Sequence, residues 1–159
     1  MTVEILLDYT INQNTIAIIT VAHIDYQTKV IEKNAIFYVK KPALELIKNA
    51  CLIGGSSYEG RKIAVSYHMR VKHKVPIPIN PILHIFAFPT HSPTQYHCSW
   101  IFPSHVKAIE KHPTKPNHTV IIFKNSYKLE IPVSYYQIEK QLLRSAGCII
   151  QFSELSVTS

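Results

Sequence analysis

Between Gly54 and Lys74 the chain gathers the residue types that hold phosphate. Three of its four glycines, Gly54, Gly55 and Gly60, flank Ser56 and Ser57. Arg61, Lys62, Arg70, Lys72 and Lys74 follow, and no acid comes between Glu59 and Lys74. Successive backbone N–H groups in such a turn can cradle an anion. A Walker nucleotide loop is excluded, because Gly60 is followed by Arg61-Lys62-Ile63 and the magnesium-binding hydroxyl is missing. Gly54 and Gly55 also suit a plain helix stop. Beyond the turn the sequence alternates. Val65, Tyr67, Met69, Val71 and Val75 share one phase, and Ser66, His68, Arg70, Lys72 and Lys74 share the other. Side chains of a strand point to opposite faces with period two, so the pattern predicts a long strand with an apolar and a basic face. On such a strand Arg70, Lys72 and Lys74 would form a line of cations about 13 to 14 Å long. That line would track a phosphate backbone, and two-stranded ribbons enter DNA grooves. A solvated edge strand guarded by lysines fits the same pattern. His68, in phase with Arg70, would add to anion binding once protonated, below about pH 6.5.

Other chemistries fit less well. The nine histidines include His91 and His97 beside Cys98, and His112 near His118. None has the spacing of a structural zinc site, so no metal is assigned and they read as surface and loop histidines. Cys98 with His97 or His105 would be the nucleophile pair, but neighbours on a strand point apart. No Gly-x-Ser-x-Gly or paired-carboxylate motif is present. No catalytic residue and no cofactor are assigned, and the chain reads as a non-enzyme. The odd, scattered Cys51, Cys98 and Cys148 read as small buried hydrophobes. Trp100, Phe102, Phe86 and Phe88 sit in apolar surroundings and read as core.

Thr15 to His23, Lys29 to Glu32 and Ala35 to Val39 are rich in β-branched residues and read as strands, with Lys33-Asn34 as a turn. Pro42 opens a helix whose apolar stripe is Ala43, Leu46, Ile47, Ala50 and Cys51. Proline at alternate positions from Pro76 to Pro81 marks an edge strand or connector. Ile82 to Phe88 is apolar on both phases and reads as a central strand. Cys98 to Phe102 and His105 to Ile109 read as strands, and Thr119 to Phe123 with Tyr127 to Ile131 as a hairpin. Ser134-x-x-Gln137 is a capping box for a helix from Tyr135 to about Ala146, with Gly147 as its stop and Arg144 favoured by the dipole of its last turn. The expected class is α+β: mainly antiparallel β, as a sheet or partly closed barrel, with two helices at about 42–51 and 135–146. Residues 1–152 read as one domain and 153–159 as a frayed tail.

The chain has 159 residues and a net charge of +7. Residues 61–128 hold ten Lys or Arg against Glu110 alone, while residues 1–28 hold three acids and no Lys or Arg. A basic middle between acidic or neutral ends points to a polyanionic partner. An acidic protein is the alternative occupant of the basic ribbon. No apolar run has the length of a signal core or membrane span, so no membrane partner is assigned and the expected location is the cytoplasm, on the nucleoid.

Several ordered motifs resemble one family. They are Phe37-Tyr38-Val39, Gly55-Ser56-Ser57-Tyr58-Glu59-Gly60-Arg61-Lys62, Pro76-x-x-Ile79-Asn80-Pro81, Phe86-Ala87-Phe88-Pro89-Thr90, Cys98-Ser99-Trp100-Ile101, His105-Val106-Lys107 and Ile131-Pro132-Val133-Ser134-Tyr135. Together they resemble the competence transcription factor family, ComK, over about residues 30 to 148, with the first thirty residues outside the likeness. The resemblance implies a transcription activator of DNA-uptake genes. It implies binding to double-stranded, A/T-rich boxes through the minor groove, as a dimer or dimer of dimers. The long form of the family carries a C-terminal tail associated with activation and with recognition by a Clp protease adaptor. Against that form this chain reads as short, so the adaptor is not carried over as a firm partner, and a paralogue that binds DNA without activating is a second reading. The expected DNA-binding set is Arg61, Lys62, His68, Arg70, Lys72 and Lys74. Within it the turn at Gly55–Lys62 would line the groove while the ribbon holds phosphates, so Arg61→Ala would weaken A/T preference more than Lys74→Ala.

Overall fold

The computed structural model describes residues 2–158, and the side chains of residues 4–153. Among the described residues, ten strands and three α-helices make an α+β fold. Strands β1 (Thr2–Leu6), β2 (Thr15–Thr20), β3 (Thr28–Glu32) and β4 (Ala35–Val39) are followed by helices α1 (Ala43–Ile53) and α2 (Tyr58–Met69). Then come β5 (Ile77–Asn80), β6 (Ile85–Pro89), β7 (Trp100–Ile101), a 3-10 turn at Pro103–His105, β8 (Val106–Lys111), β9 (Thr119–Phe123), β10 (Lys128–Ile131) and α3 (Tyr135–Thr158). Seven strands form one sheet in the order β1-β4-β3-β2-β7-β6-β5, and β10-β9-β8 form a second. Every pairing is antiparallel except β1 with β4.

The large sheet is apolar on both faces, which is why its inner strands lack a polar phase. Val30, Phe86 and Trp100 belong to one buried cluster, which the helices α1 and α2 cover with Leu46, Ile47 and Val65. Ile31, Phe88 and Ile101, on the same strands, belong to a second cluster closed by Ile121, Phe123 and Ile131 of the small sheet. Helix α3 spans both, giving Ile138 to the second and Cys148 and Phe152 to the first. The proline-bearing β5 lies at the sheet edge, as expected; of the strand expected at 82–88, residues 85–88 belong to the inner strand β6, while Ile82, Leu83 and His84 form the exposed turn before it.

Two helix expectations are corrected. Residues 58–69 are helix, so the basic strand from Val65 to Lys74 does not exist. Ser57 supplies the cap: its Oγ accepts from the Gly60 N–H at 2.9 Å. The buried residues then follow helical spacing, with Tyr58 and Val65 seven apart and Met69 four further on against the same core. Tyr67, placed on the apolar face by the strand reading, is 79% exposed. The period-two pattern of Val65, Tyr67, Met69 and Val71 arises only because 65 and 69 also share a helical face.

The second correction concerns Gly147, which does not stop α3. It lies inside the helix, where an added Cβ would come within 3.0 Å of Met69 Cε. It faces the Met69 side chain of α2. The expected tail runs as helix to Thr158; its side chains past Ser153, and Ser159 altogether, lie outside the described residues.

Candidate nucleic-acid interface

The glycine-rich turn is a joint between two helices. Gly54 N–H bonds to Ala50 O, Gly55 N–H to Leu52 O and Ser56 N–H to Cys51 O, at 3.0, 3.1 and 3.1 Å. With Gly55 at φ 99°, this is a Schellman motif that satisfies the last carbonyls of α1. Gly54 also lies against β5, where a Cβ would fall 2.5 Å from Ile79 O. Arg61 points into this joint. Its Nη2 donates to Gly54 O at 2.8 Å, and its Nε is buried without a partner. Lys62 follows at the start of the second turn of α2, half-buried. His68 is exposed near the other end of the helix, its ring edge-on to Tyr67 and Phe152.

The remaining predicted cations lie together on the segment joining α2 to β5. Arg70 ends α2 in the left-handed conformation, φ 57°, with its N–H on Ser66 O. Lys74 is left-handed too, at φ 50°. Arg70 and Lys72 are exposed and Lys74 half-buried. Helix α3 braces this loop with one polar stripe, Gln137, Gln141 and Arg144. Gln141 is buried and donates through Nε2 to Lys74 O and to Pro89 O, both at 2.9 Å. Arg144 donates to His73 O at 3.3 Å, and Lys74 Nζ reaches Gln137 Oε1 at 3.5 Å. His91 and His97 stack edge-to-face at 4.4 Å close by. Burial, then His97, then Lys74 hold the His91 imidazole below its ordinary pKa.

The arrangement is cationic and uncompensated. Among the described residues the ion pairs join Lys41 to Asp8 and Glu45, and Glu130 to His112 and Lys115. None takes up Arg70, Lys72, Lys74 or Arg144. Sequence reasoning placed Arg70, Lys72 and Lys74 together for the wrong reason, and separated them from Arg144, His91 and His97. Arg144 lies mid-helix, so the dipole argument for it fails. Its signal was the polar i, i+4, i+7 stripe of Gln137, Gln141 and Arg144 on an amphipathic helix. Arg61 and Arg70 stand at opposite ends of α2, about 13 Å apart along its axis. Gln141 holds the loop to the sheet, so Gln141→Ala should leave two carbonyls without this donor. It should cost about 2 kcal/mol of stability in urea unfolding.

Cysteine chemistry finds no support. Cys51, Cys98 and Cys148 are buried free thiols. Burial raises the pKa of Cys51 to about 11 and of Cys148 to about 12, and raises that of Cys98, whose Sγ points at His91 O. His112 organises its own loop, accepting at Nδ1 from the Thr114 and Lys115 N–H groups. No helix among the described residues is long and apolar enough to cross a membrane.

A family model described as ComK protein matches residues 7–156. The chain belongs to the ComK family. It is 37% identical over 148 residues to the competence transcription factor of Bacillus subtilis (strain 168), covering 92% of this chain and 76% of that protein. No solved structure matches. The ComK likeness is wider than residues 30–148, since it takes in β2 and the start of β3. The motif from Gly55 to Lys62 forms the joint and first turn of α2, and Phe86–Thr90 and Cys98–Ile101 include the paired strands β6 and β7.

Proposed function

We propose that this ComK-family protein is a transcription regulator of the competence type, a non-enzyme that binds A/T-rich double-stranded DNA as a homo-oligomer. One observation carries the reading: Arg70, Lys72 and Lys74 lie on one loop, free of ion pairs among the described residues and braced by α3. Uncompensated cations at this density attract the phosphate backbone without regard to sequence. Arg144 joins them, with His91 and His97 beside Lys74. Preference for A/T-rich sites would come from a cation entering a narrow minor groove, whose potential is more negative. Arg70 and Lys72, both exposed, are the candidates for that insertion. Lys62 and His68 remain on α2 as flanking contacts, while Arg61 acts by setting the angle of that helix.

The testing experiment is anisotropy titration of matched A/T-rich and G/C-rich duplexes, with poly(dA·dT) as competitor and sedimentation to follow assembly. Tighter binding to the A/T-rich duplex, relieved by competitor and accompanied by a larger assembly, is expected. Equal binding to both duplexes would sink the A/T preference, and no binding to either duplex would sink the proposal and favour an acidic protein partner.

A further inference from the structure

A cleft of about 670 Å³ opens at the end of β6 away from the cation loop. Ile85 and Phe86, at the start of β6, line it, whereas the loop is tied to Pro89 at the strand's other end. Its volume is that of a small-molecule site, in the range of roughly 300 to 1,000 Å³. The floor is apolar, built from Ile16, Phe86, Phe102 and Phe123, all buried. The rim carries two cations, Lys33 and Lys124, with the imidazoles of His84 and His105 beside them, and no carboxylate lines it.

Three hydrogen bonds between turns hold that rim in place. Asn125 Nδ2 donates to Lys33 O at 2.9 Å, tying the β9–β10 turn to the β3–β4 turn. Lys124 N–H donates to His105 O at 2.9 Å, and Gln13 Nε2 donates to Leu83 O at 2.9 Å. Neither Lys33 nor Lys124 enters an ion pair among the described residues. His105 is lowered in pKa, first by burial, then by the Lys33 charge, with a smaller push from Lys124. Lys33 and Lys124 therefore border the same cleft, and no acid lines its wall.

We propose that this cleft binds a small organic anion, a phosphate carried on an aromatic or apolar body. The phosphate would lie between Lys33, Lys124 and His105, and the body would cover Phe86, Phe102 and Phe123. An anion there relieves the mutual repulsion of the cations, and the apolar floor rewards a ligand larger than phosphate itself. The site does not depend on the DNA-binding reading, because it uses none of the same residues.

The test is NMR titration with phenyl phosphate, following the His105 ring and the Ile16 and Ile85 methyl groups, beside phenol and inorganic phosphate. Saturable shifts at these positions are expected at millimolar phenyl phosphate, with weaker effects from either half alone. Lys33→Ala with Lys124→Ala changes two exposed side chains and should weaken binding about tenfold or more, with the fold checked by the unaltered core spectrum. Arg70→Ala, Lys72→Ala and Lys74→Ala together should leave phenyl phosphate affinity unchanged while weakening DNA. The proposal is overturned by shifts that do not saturate, by shifts the Lys33/Lys124 variant retains, or by inorganic phosphate binding equally well. Displacement of phenyl phosphate by a short DNA duplex would also overturn it, by assigning the cleft to the nucleic-acid backbone.

Discussion

Replacing Arg70, Lys72 and Lys74 with alanine is expected to lower affinity for an A/T-rich duplex about a hundredfold near 0.15 M salt, by the counterion arithmetic that follows. Each phosphate neutralised contributes about 0.9 to the log–log salt slope, so three cations contribute about 2.7. From about 1 M, where that electrostatic contribution vanishes, down to about 0.15 M is roughly 0.8 log units, and the product is about two log units. The fold should survive. Arg70 and Lys72 are exposed, and Lys74 loses only its long contact to Gln137. Alanine carries a Cβ just as arginine and lysine do, so the left-handed backbone at 70 and 74 is no more strained than before. Affinity and slope measured together decide the matter. A variant with native circular dichroism and an unchanged salt slope would remove this loop from the interface. A fall in affinity with an unchanged slope would mean the loop acts on something other than phosphate.

The loop also marks where the sequence was legible and where it was not. The inner strands β2 and β6 were readable because burial on both faces demands nearly continuous apolar runs. Helix α1 was readable because a helix lying on a sheet shows one apolar stripe, here Ala43 to Cys51. Helix α2 was hidden for the opposite reason. It buries only Tyr58 and Val65, so its helical stripe is thin and an accidental alternation outweighed it. Ser57, three residues before Gly60, was the local signal that pointed the right way, since a serine cap needs only the N–H it accepts. The grouping of Arg144, His91 and His97 with Lys74 was not legible, because nothing local in a sequence fixes which strand end meets which helix face. That meeting is set by Gln141, which joins the loop to Pro89.

The second large effect is expected at Gly54. A Cβ there would overlap Ile79 O at 2.5 Å, and a backbone oxygen cannot swing aside as a side chain would. Gly54→Ala should therefore push α1 off β5 and cost about 3 kcal/mol, the upper end for overpacking. For a chain of this size that is a fall of about 6 to 12 °C in Tm. Gly55→Ala makes a useful partner experiment. Nothing lies within 4 Å of its Cβ, so its cost is the left-handed backbone alone, about 1 to 2 kcal/mol. The ordering of the two separates close packing from conformational strain, and a larger loss at Gly55 would contradict the packing account. The same pair bears on how the family motif works. If the Gly55–Lys62 turn lined the DNA groove, both variants would alter DNA affinity in the fully folded protein well below its Tm. With Arg61 bound to Gly54 O inside the joint, the role we propose for the motif is to support the angle between α1 and α2. Below the Tm of the variants, the salt slope for DNA should then match that of the parent, while their stability does not.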